Sequence, residues 1–157
     1  MTLSERKSPR IKDYDYSTPG AYFVTICTHN KEYTLGNIVG EGFCALPQNI
    51  LTPIGIEVEK SIQHINENYN GVTIENYVVM PNHVHLIVNL HNSGGHRNPP
   101  LQSVIGRLKS YTTNKFGKTL WQRSFHDHII RGKEDYQKIY EYIDTNVLKW
   151  KKDCFYF

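Results

Sequence analysis

Cysteine is scarce in this chain. There are three, Cys27, Cys44 and Cys154, an odd number at wide spacing. Such a set builds neither a disulfide framework nor a CxxC zinc site, and a reducing cytosol is the simplest compartment. Long apolar runs are missing too. Nothing approaches the length that spans a bilayer, and residues 1–7 (MTLSERK) lack the apolar segment of a signal peptide. No internal repeat divides the 157 residues, so the expectation is one domain over 1–157 with a basic arm over 1–20. Acid is absent from one long stretch. Residues 101–123 carry Arg107, Lys109, Lys115, Lys118 and Arg123 with no Asp or Glu, while the arm sets Arg6, Lys7, Arg10 and Lys12 against Glu5. The net charge is only +3, but concentrated basic segments are the footprint of a polyanion partner. Charge alone leaves a merely solubilising surface equally open.

The elements follow from periodicity. Ala21–His29 is β-branched and aromatic and reads as a strand. Two apolar pieces within Tyr33–Leu46, around Val39-Gly40-Glu41-Gly42, suggest a hairpin. Thr52-Pro53 opens a helix, with Thr as N-cap and Pro at the first position, and Ile54, Val58, Ile62 and Ile65 supply its core stripe. Leu101–Phe116 reads as a basic amphipathic helix, Trp121–Arg131 as an extended segment, and Lys133–Lys149 as the last helix, with Glu134 and Asp135 in its first turn. Strands joined mostly by hairpins, with one crossover helix, point to an α+β antiparallel sheet, plausibly ferredoxin-like.

The most informative stretch is residues 80–88, MPNHVHLIV. Pro81-Asn82 is a turn signal, so Val72–Met80 and His83–Asn89 form a tight hairpin. Alternation along a strand puts His83 and His85 on one face and Val84, Leu86 and Val88 on the other. Two imidazoles side by side on a rigid strand are half of a metal site, and a metal beside a reactive side chain is one way to cut a phosphodiester. An isolated pair can equally be surface polarity. Here the same face continues into Ile87 and Asn89, so it is not plainly solvated. A histidine-triad nucleotide hydrolase also alternates histidines, but its third position is Ile87 here.

In the last helix Tyr136, Ile139, Tyr140, Ile143 and Val147 form the apolar stripe, and Lys138, Tyr142, Asn146 and Lys149 run beside it. Tyr142 and Asn146 are four apart and so neighbours. The amide oxygen of Asn146 is a hard-metal ligand type. Taken alone, Tyr142 is as well explained by a ring packed at the core edge.

Together these segments resemble a family. His83-Val84-His85 after Met80-Pro81-Asn82 is similar to the His-hydrophobe-His motif of single-strand transposases and replication nickases. Tyr142-Ile143-Asp144-Thr145-Asn146 resembles their tyrosine helix. Asp15-Tyr16-Ser17, residues 20–28 (GAYFVTICT), residues 107–111 (RLKSY) and residues 121–131 (WQRSFHDHIIR) resemble the REP-associated tyrosine transposases more narrowly. The similarity runs from about residue 6 to Asp153.

The resemblance implies a ferredoxin-like antiparallel sheet of about four or five strands with packed helices. It implies metal ligation by His83, His85 and Asn146, normally of Mg²⁺ or Mn²⁺, with Tyr142 as nucleophile. The implied reaction cleaves and rejoins single-stranded DNA near hairpins through a 5′-phosphotyrosine. One departure is Val147 where members often carry proline, so the helix is expected to run further. Tyr111 is a rival nucleophile, but position 115 is Lys rather than an amide.

Candidate DNA contacts are Arg6, Lys7, Arg10, Arg107, Lys109, Arg123, Arg131, Lys138 and Lys149, with Tyr111, Trp121 and Phe125 as stacking surfaces, although such aromatics more often belong to a core. His126 and His128 face DNA or pack near the metal, and His64 and His91 have no evident partner in the sequence. The partner is single-stranded or hairpin DNA, no membrane is involved, and a homodimer that exchanges the tyrosine helix stays open beside a monomer. The competing class is a hairpin-binding regulator that no longer cuts.

Overall fold

A computed structural model describes residues 10–40, 46–92, 97–117 and 119–153. Arg6 and Lys7, and with them residues 1–9 of the expected arm, lie outside these residues. The elements run β1 (Gly20–Cys27), β2 (Gly36–Val39), β3 (Gln48–Leu51), α1 (Pro53–Asn68), β4 (Val72–Val79), β5 (His83–Leu90), α2 (Leu101–Phe116), β6 (His126–Ile129) and α3 (Gly132–Asp144). Four strands form one antiparallel sheet in the order β4-β5-β1-β6, and β2 and β3 make a separate two-stranded ribbon. This is the α+β, ferredoxin-like arrangement read from the sequence.

Alternation divides the sheet into two faces. Tyr22, Val24 and Ile26 of β1 join Val84, Leu86 and Val88 of β5 in the core, which α1 closes with Val58, Ile62 and Ile65 and α2 with Leu101, Val104, Ile105 and Leu108. Fully burying each such aliphatic side chain stabilises by roughly 1.5–3 kcal/mol, and this face carries most of the stability. Helix α1 starts where the sequence predicts, with Thr52 Oγ1 accepting from the Gly55 N–H at 3.2 Å and Pro53 beside it. No helix among the described residues is long and apolar enough to cross a membrane.

Three expectations need correction. The ribbon's second strand is Gln48–Leu51, paired with Gly36–Val39, and does not lie within Tyr33–Leu46. The residues that join them, 41–45, lie outside the described set. Helix α3 stops at Asp144 and does not continue to Lys149. Thr145 takes φ −98° and ψ 4°, its hydroxyl bonds back to Glu141 O at 2.8 Å, and the Asn146 N–H turns to Ile143 O at 3.2 Å. Side-chain bonding of Thr to the preceding turn weakens helix continuation without any proline. The near part of the arm is also anchored: Tyr16 is buried, and the Arg10 guanidinium lies 4.0 Å over the Phe125 ring.

Lys109 of α2 turns inward. Its ammonium donates to Gln122 O at 2.8 Å and Ser124 O at 3.0 Å, tying α2 to the segment before β6. Burial, aided by the Arg10 charge, lowers its pKa from 10.5 to about 8. The unfolded lysine therefore binds more protons between about pH 8 and 10.5, so stability climbs with pH across that window. Lys109→Met is expected to cost about 2 kcal/mol in urea titration near neutral pH. It should also abolish this climb relative to wild type; an equal slope in both proteins would refute the inward role.

Candidate active site

The sheet face opposite the core holds the titratable cluster. His83 and His85 stand there on β5, and both are buried, at 0% and 1% exposure. Their support is local and rigid. Asn82 O accepts from the Thr28 N–H at 2.9 Å and from Thr28 Oγ1 at 3.0 Å, and Pro81 O accepts from the Leu35 N–H at 3.0 Å. The turn before the histidines is thereby clamped from β1's end and from the ribbon. Leu35 O presses on Gly55, where a Cβ would sit 2.0 Å away, so only glycine admits this approach.

Each imidazole is oriented by its Nδ1. His83 Nδ1 donates to Asn82 Oδ1 at 2.7 Å, and His85 Nδ1 lies 2.8 Å from Thr25 Oγ1, its register partner on β1. The Asn82 amide oxygen can only accept, so it leaves the His83 Nε2 lone pair facing the site, and the Thr25 hydroxyl orients the His85 ring. Burial lowers the His83 pKa to about 4, against the opposing pull of Asp153 and Asn146. Burial, then the His83 charge, holds His85 well below its ordinary value. Both rings are neutral at neutral pH, the state a metal ligand needs.

Tyr142 comes from α3 on the other side of the site. Its hydroxyl is 3.4 Å from His85 Nε2, its ring meets Phe23 edge-on at 6.0 Å, and it keeps 39% exposure. Asn146, just past the end of α3, is buried at 2% exposure, and its Oδ1 has no well-formed hydrogen bond among the described residues. A buried amide oxygen beside the His83 imidazole and outside good hydrogen-bond geometry suits a cation. Asp153 reaches the same place: its Oδ2 lies 3.7 Å from His83 Nε2 and 4.0 Å from His85 Nε2. His83, His85 and Asp153 form a cluster able to hold a metal ion. Trp150, stacked on His83 at 6.0 Å, leads the chain there.

Helix α3 is held on its own sheet by polar contacts, since Ile143 is its buried residue. A β-bulge explains how. Ile74 pairs with Val88 but Asn76 with Ile87, so β4 carries an extra residue at Glu75. The bulge turns both Glu75 and Asn76 toward α3, whereas strict alternation would send Asn76 to the core. Glu75 accepts from the Tyr136 hydroxyl, and Asn76 Nδ2 donates to Asp144 Oδ1 at 3.1 Å. Asp135 adds a third tether through the Arg131 N–H and His128 Nε2 at 2.8 Å. Asn76→Ala should therefore speed amide exchange in α3 roughly five- to tenfold, with β1 and β5 unaffected. Unchanged α3 protection would show that the bulge does not hold the helix.

The sequence-predicted residues divide accordingly. His83, His85, Tyr142 and Asn146 meet, although Tyr142 and Asn146 do not share one continuous helix. Arg131 and Lys138 lie exposed on or beside α3, and Lys149 is exposed beyond it. Arg107 and Tyr111 sit on α2, on the far side of the sheet, where Arg107 covers the Tyr69 ring at 4.6 Å and Tyr111 stacks on His64 at 5.5 Å. His64 also meets Asn68, and His91 meets Thr73, so both have partners that the sequence did not show. Arg123 is exposed, while Trp121 and Phe125 are buried in the core, with Trp121 Nε1 donating to Thr112.

Sequence reasoning missed Thr25, Asp153, Trp150 and the Glu75 bulge. Asn82 was seen only as a turn residue. No local pattern marks the others; the β1–β5 register and the path after α3 bring them in.

Comparison with known proteins bears on the family and the fold. The model described as "Transposase IS200 like" matches residues 48–146. An uncharacterized protein of Haemophilus influenzae is 33% identical over 176 aligned residues, covering 98% of this chain and 94% of its own. A solved REP-associated tyrosine transposase bound to a REP hairpin superimposes with TM-score 0.64 at 23% identity, over 90% of this chain and 73% of its own. A putative transposase from Deinococcus radiodurans gives TM-score 0.50 at 16% identity, over 87% and 95%. These two likenesses speak for the fold. The family match runs from β3 through Asn146 and takes in the histidine strand and the tyrosine helix, and so the chain belongs to the IS200-like transposase family.

Proposed function

We propose that this transposase nicks and rejoins single-stranded DNA beside hairpins, with Tyr142 as nucleophile, in the manner of the REP-associated tyrosine transposases. The observation that carries the reading is the approach of the Tyr142 hydroxyl to 3.4 Å from His85 Nε2, over a pair of buried imidazoles. The solved relative's REP hairpin supports hairpin DNA as the partner. Tyr142 meets the histidines of its own chain, so the reading requires no homodimer.

His83, His85 and Asn146 would hold a divalent cation. The buried, unsatisfied Asn146 Oδ1 and the neutral Nε2 donors fit such an ion. Mg²⁺ or Mn²⁺ bound there supplies Lewis-acid stabilisation of the phosphate in the transition state. The protein's own steps are few. Phe23 and His85 hold the Tyr142 ring in place. Tyr142 Oη attacks phosphorus and loses its proton; the bond from phosphorus to the 3′-oxygen breaks, and that oxygen takes up a proton. The 5′ end is then joined to Tyr142 and a free 3′-hydroxyl remains. Attack of a 3′-hydroxyl on the phosphotyrosine reverses the exchange, and one ester replaces another without an outside energy source. Arg131, Lys138 and Lys149 lie on the side of the sheet where the strand would approach, and they position backbone phosphates.

The test is covalent capture. Single-stranded hairpins from the DNA flanking the gene, labelled at the 5′ or 3′ end, are incubated with the protein and with Mg²⁺, Mn²⁺ or a chelator. A denaturation-resistant adduct that carries the 3′ label, joined through the 5′-phosphate at the break and seen only with metal, is expected. Tight hairpin binding without an adduct under either metal would replace this reading with the non-cutting regulator.

A further inference from the structure

We infer that Asp153 is a ligand of the same divalent cation, delivered by the chain that follows the tyrosine helix. This rests on the reading that His83, His85 and Asn146 hold a cation. The first argument is distance. Asp153 Oδ2 stands 3.7 Å and 4.0 Å from the two histidine Nε2 atoms, and the three ligand atoms lie within 4.8 Å of one another. These separations exceed a hydrogen bond. Bonds of about 2.1 Å to a shared ion place two ligands about 3.0 Å apart at right angles and about 4.2 Å apart when opposite. The two spacings from the carboxylate fall between those limits, and the 4.8 Å span of the set needs only a small inward turn of the side chains.

The second argument is charge. The Asp153 side chain is 2% exposed. A carboxylate this enclosed, set against two imidazole nitrogens, is a ready place for a cation. Two neutral imidazoles and one amide also make a weak set for a hard dication, because none carries charge. Asp153 supplies one negative charge and one oxygen. The resulting mixed nitrogen and oxygen set suits Mn²⁺ better than Mg²⁺, which accepts imidazole poorly.

The third argument is delivery. The Asp153 N–H bonds to Trp150 O at 3.0 Å, closing the short 3₁₀ turn Trp150–Lys152, and Trp150 is buried between His83 and Tyr33. Bound cation would thus join β5, the turn at Asn146 and this terminal turn, locking the segment after Tyr142 onto the sheet.

The probe is Mn²⁺ alone, titrated into the full chain and followed by loss of the free-ion EPR signal. His85→Ala, Asp153→Asn, Asp153→Ala and the exposed control Lys152→Gln are compared, each checked for an unchanged melting profile without metal, except His85→Ala. Wild type should bind one Mn²⁺. Asp153→Asn and Asp153→Ala should raise Kd at least about tenfold, while nitrogen couplings from the histidines persist in the residual complex. Lys152→Gln should match wild type. If both Asp153 variants bind as wild type while His85→Ala does not, the carboxylate is no ligand and this inference falls alone. A rise in hairpin affinity in those variants would then mark Asp153 as occupying the phosphate's place. If wild type binds no Mn²⁺, the cation reading falls as well.

Discussion

Tyr142→Phe abolishes covalent capture of DNA and leaves hairpin binding within about threefold of wild type. The substitution removes one oxygen. The ring keeps its contacts with Phe23 and His85, and the lost hydroxyl contact is a long one at 3.4 Å on a side chain with 39% exposure. Stability should move by less than about 1 kcal/mol. Chemistry has no such reserve. Without the nucleophile no phosphotyrosine forms, and removal of a catalytic nucleophile costs on the order of 10⁴-fold or more. Gel detection of the adduct would show nothing.

Two controls sharpen the result. Tyr111→Phe alters a residue behind the sheet, stacked on His64. Tyr140→Phe alters an exposed residue on α3 itself. Both should retain adduct formation near wild-type rates. Adduct surviving in Tyr142→Phe would sink the assignment, and its loss in Tyr111→Phe would move the nucleophile to α2.

The second large effect is expected at His85. His85→Ala deletes a side chain that touches Thr25 through Nδ1, faces Asp153 and Tyr142 through Nε2, and stacks on Phe23. The buried Thr25 hydroxyl loses its partner and a cavity opens beneath Tyr142. We expect a stability loss of about 2–4 kcal/mol, measurable by urea denaturation. Adduct formation should fall by roughly 10²–10³-fold and not return at high Mn²⁺, because a ligand and the support of the nucleophile vanish together. Thr25→Val separates these roles. It keeps the imidazole but removes the partner that orients it, so metal affinity should weaken by about 10–100-fold and activity should recover at high Mn²⁺. Full activity of His85→Ala at ordinary metal concentration would refute the site as drawn.

How much of this was legible in the sequence depended on the reach of each signal. The shared face of His83 and His85 follows from strand alternation alone. The α1 start follows from Thr52 and Pro53, and α2 occupies the predicted Leu101–Phe116. Those features depend on the residue and its nearest neighbours, whose directions the backbone sets. The end of α3 was misjudged because Val147 permits a helix, while the Thr145 hydroxyl bond and the contacts of Asp144 and Asn146 favour a turn. Trp121 and Phe125 stand in the sequence either as stacking surfaces beside basic residues or as core, and the core takes both. Arg107 and Lys109 of α2 stand among the candidate DNA contacts, but the sheet lies between α2 and the histidines.

The sequence by itself determined the α+β pattern and the strand that carries two histidines, and its resemblance to known transposases marked the tyrosine to expect beside them. Only the tertiary structure decided that Thr25 orients His85, that the Glu75 bulge turns two polar groups onto α3, and that Asp153 arrives at the imidazoles from the chain's far end. The reason is that alternation and helical spacing are properties of a few adjacent dihedral angles. The meeting of residues 25, 85 and 153 is set instead by strand register and by the burial of whole faces, terms summed over the entire chain.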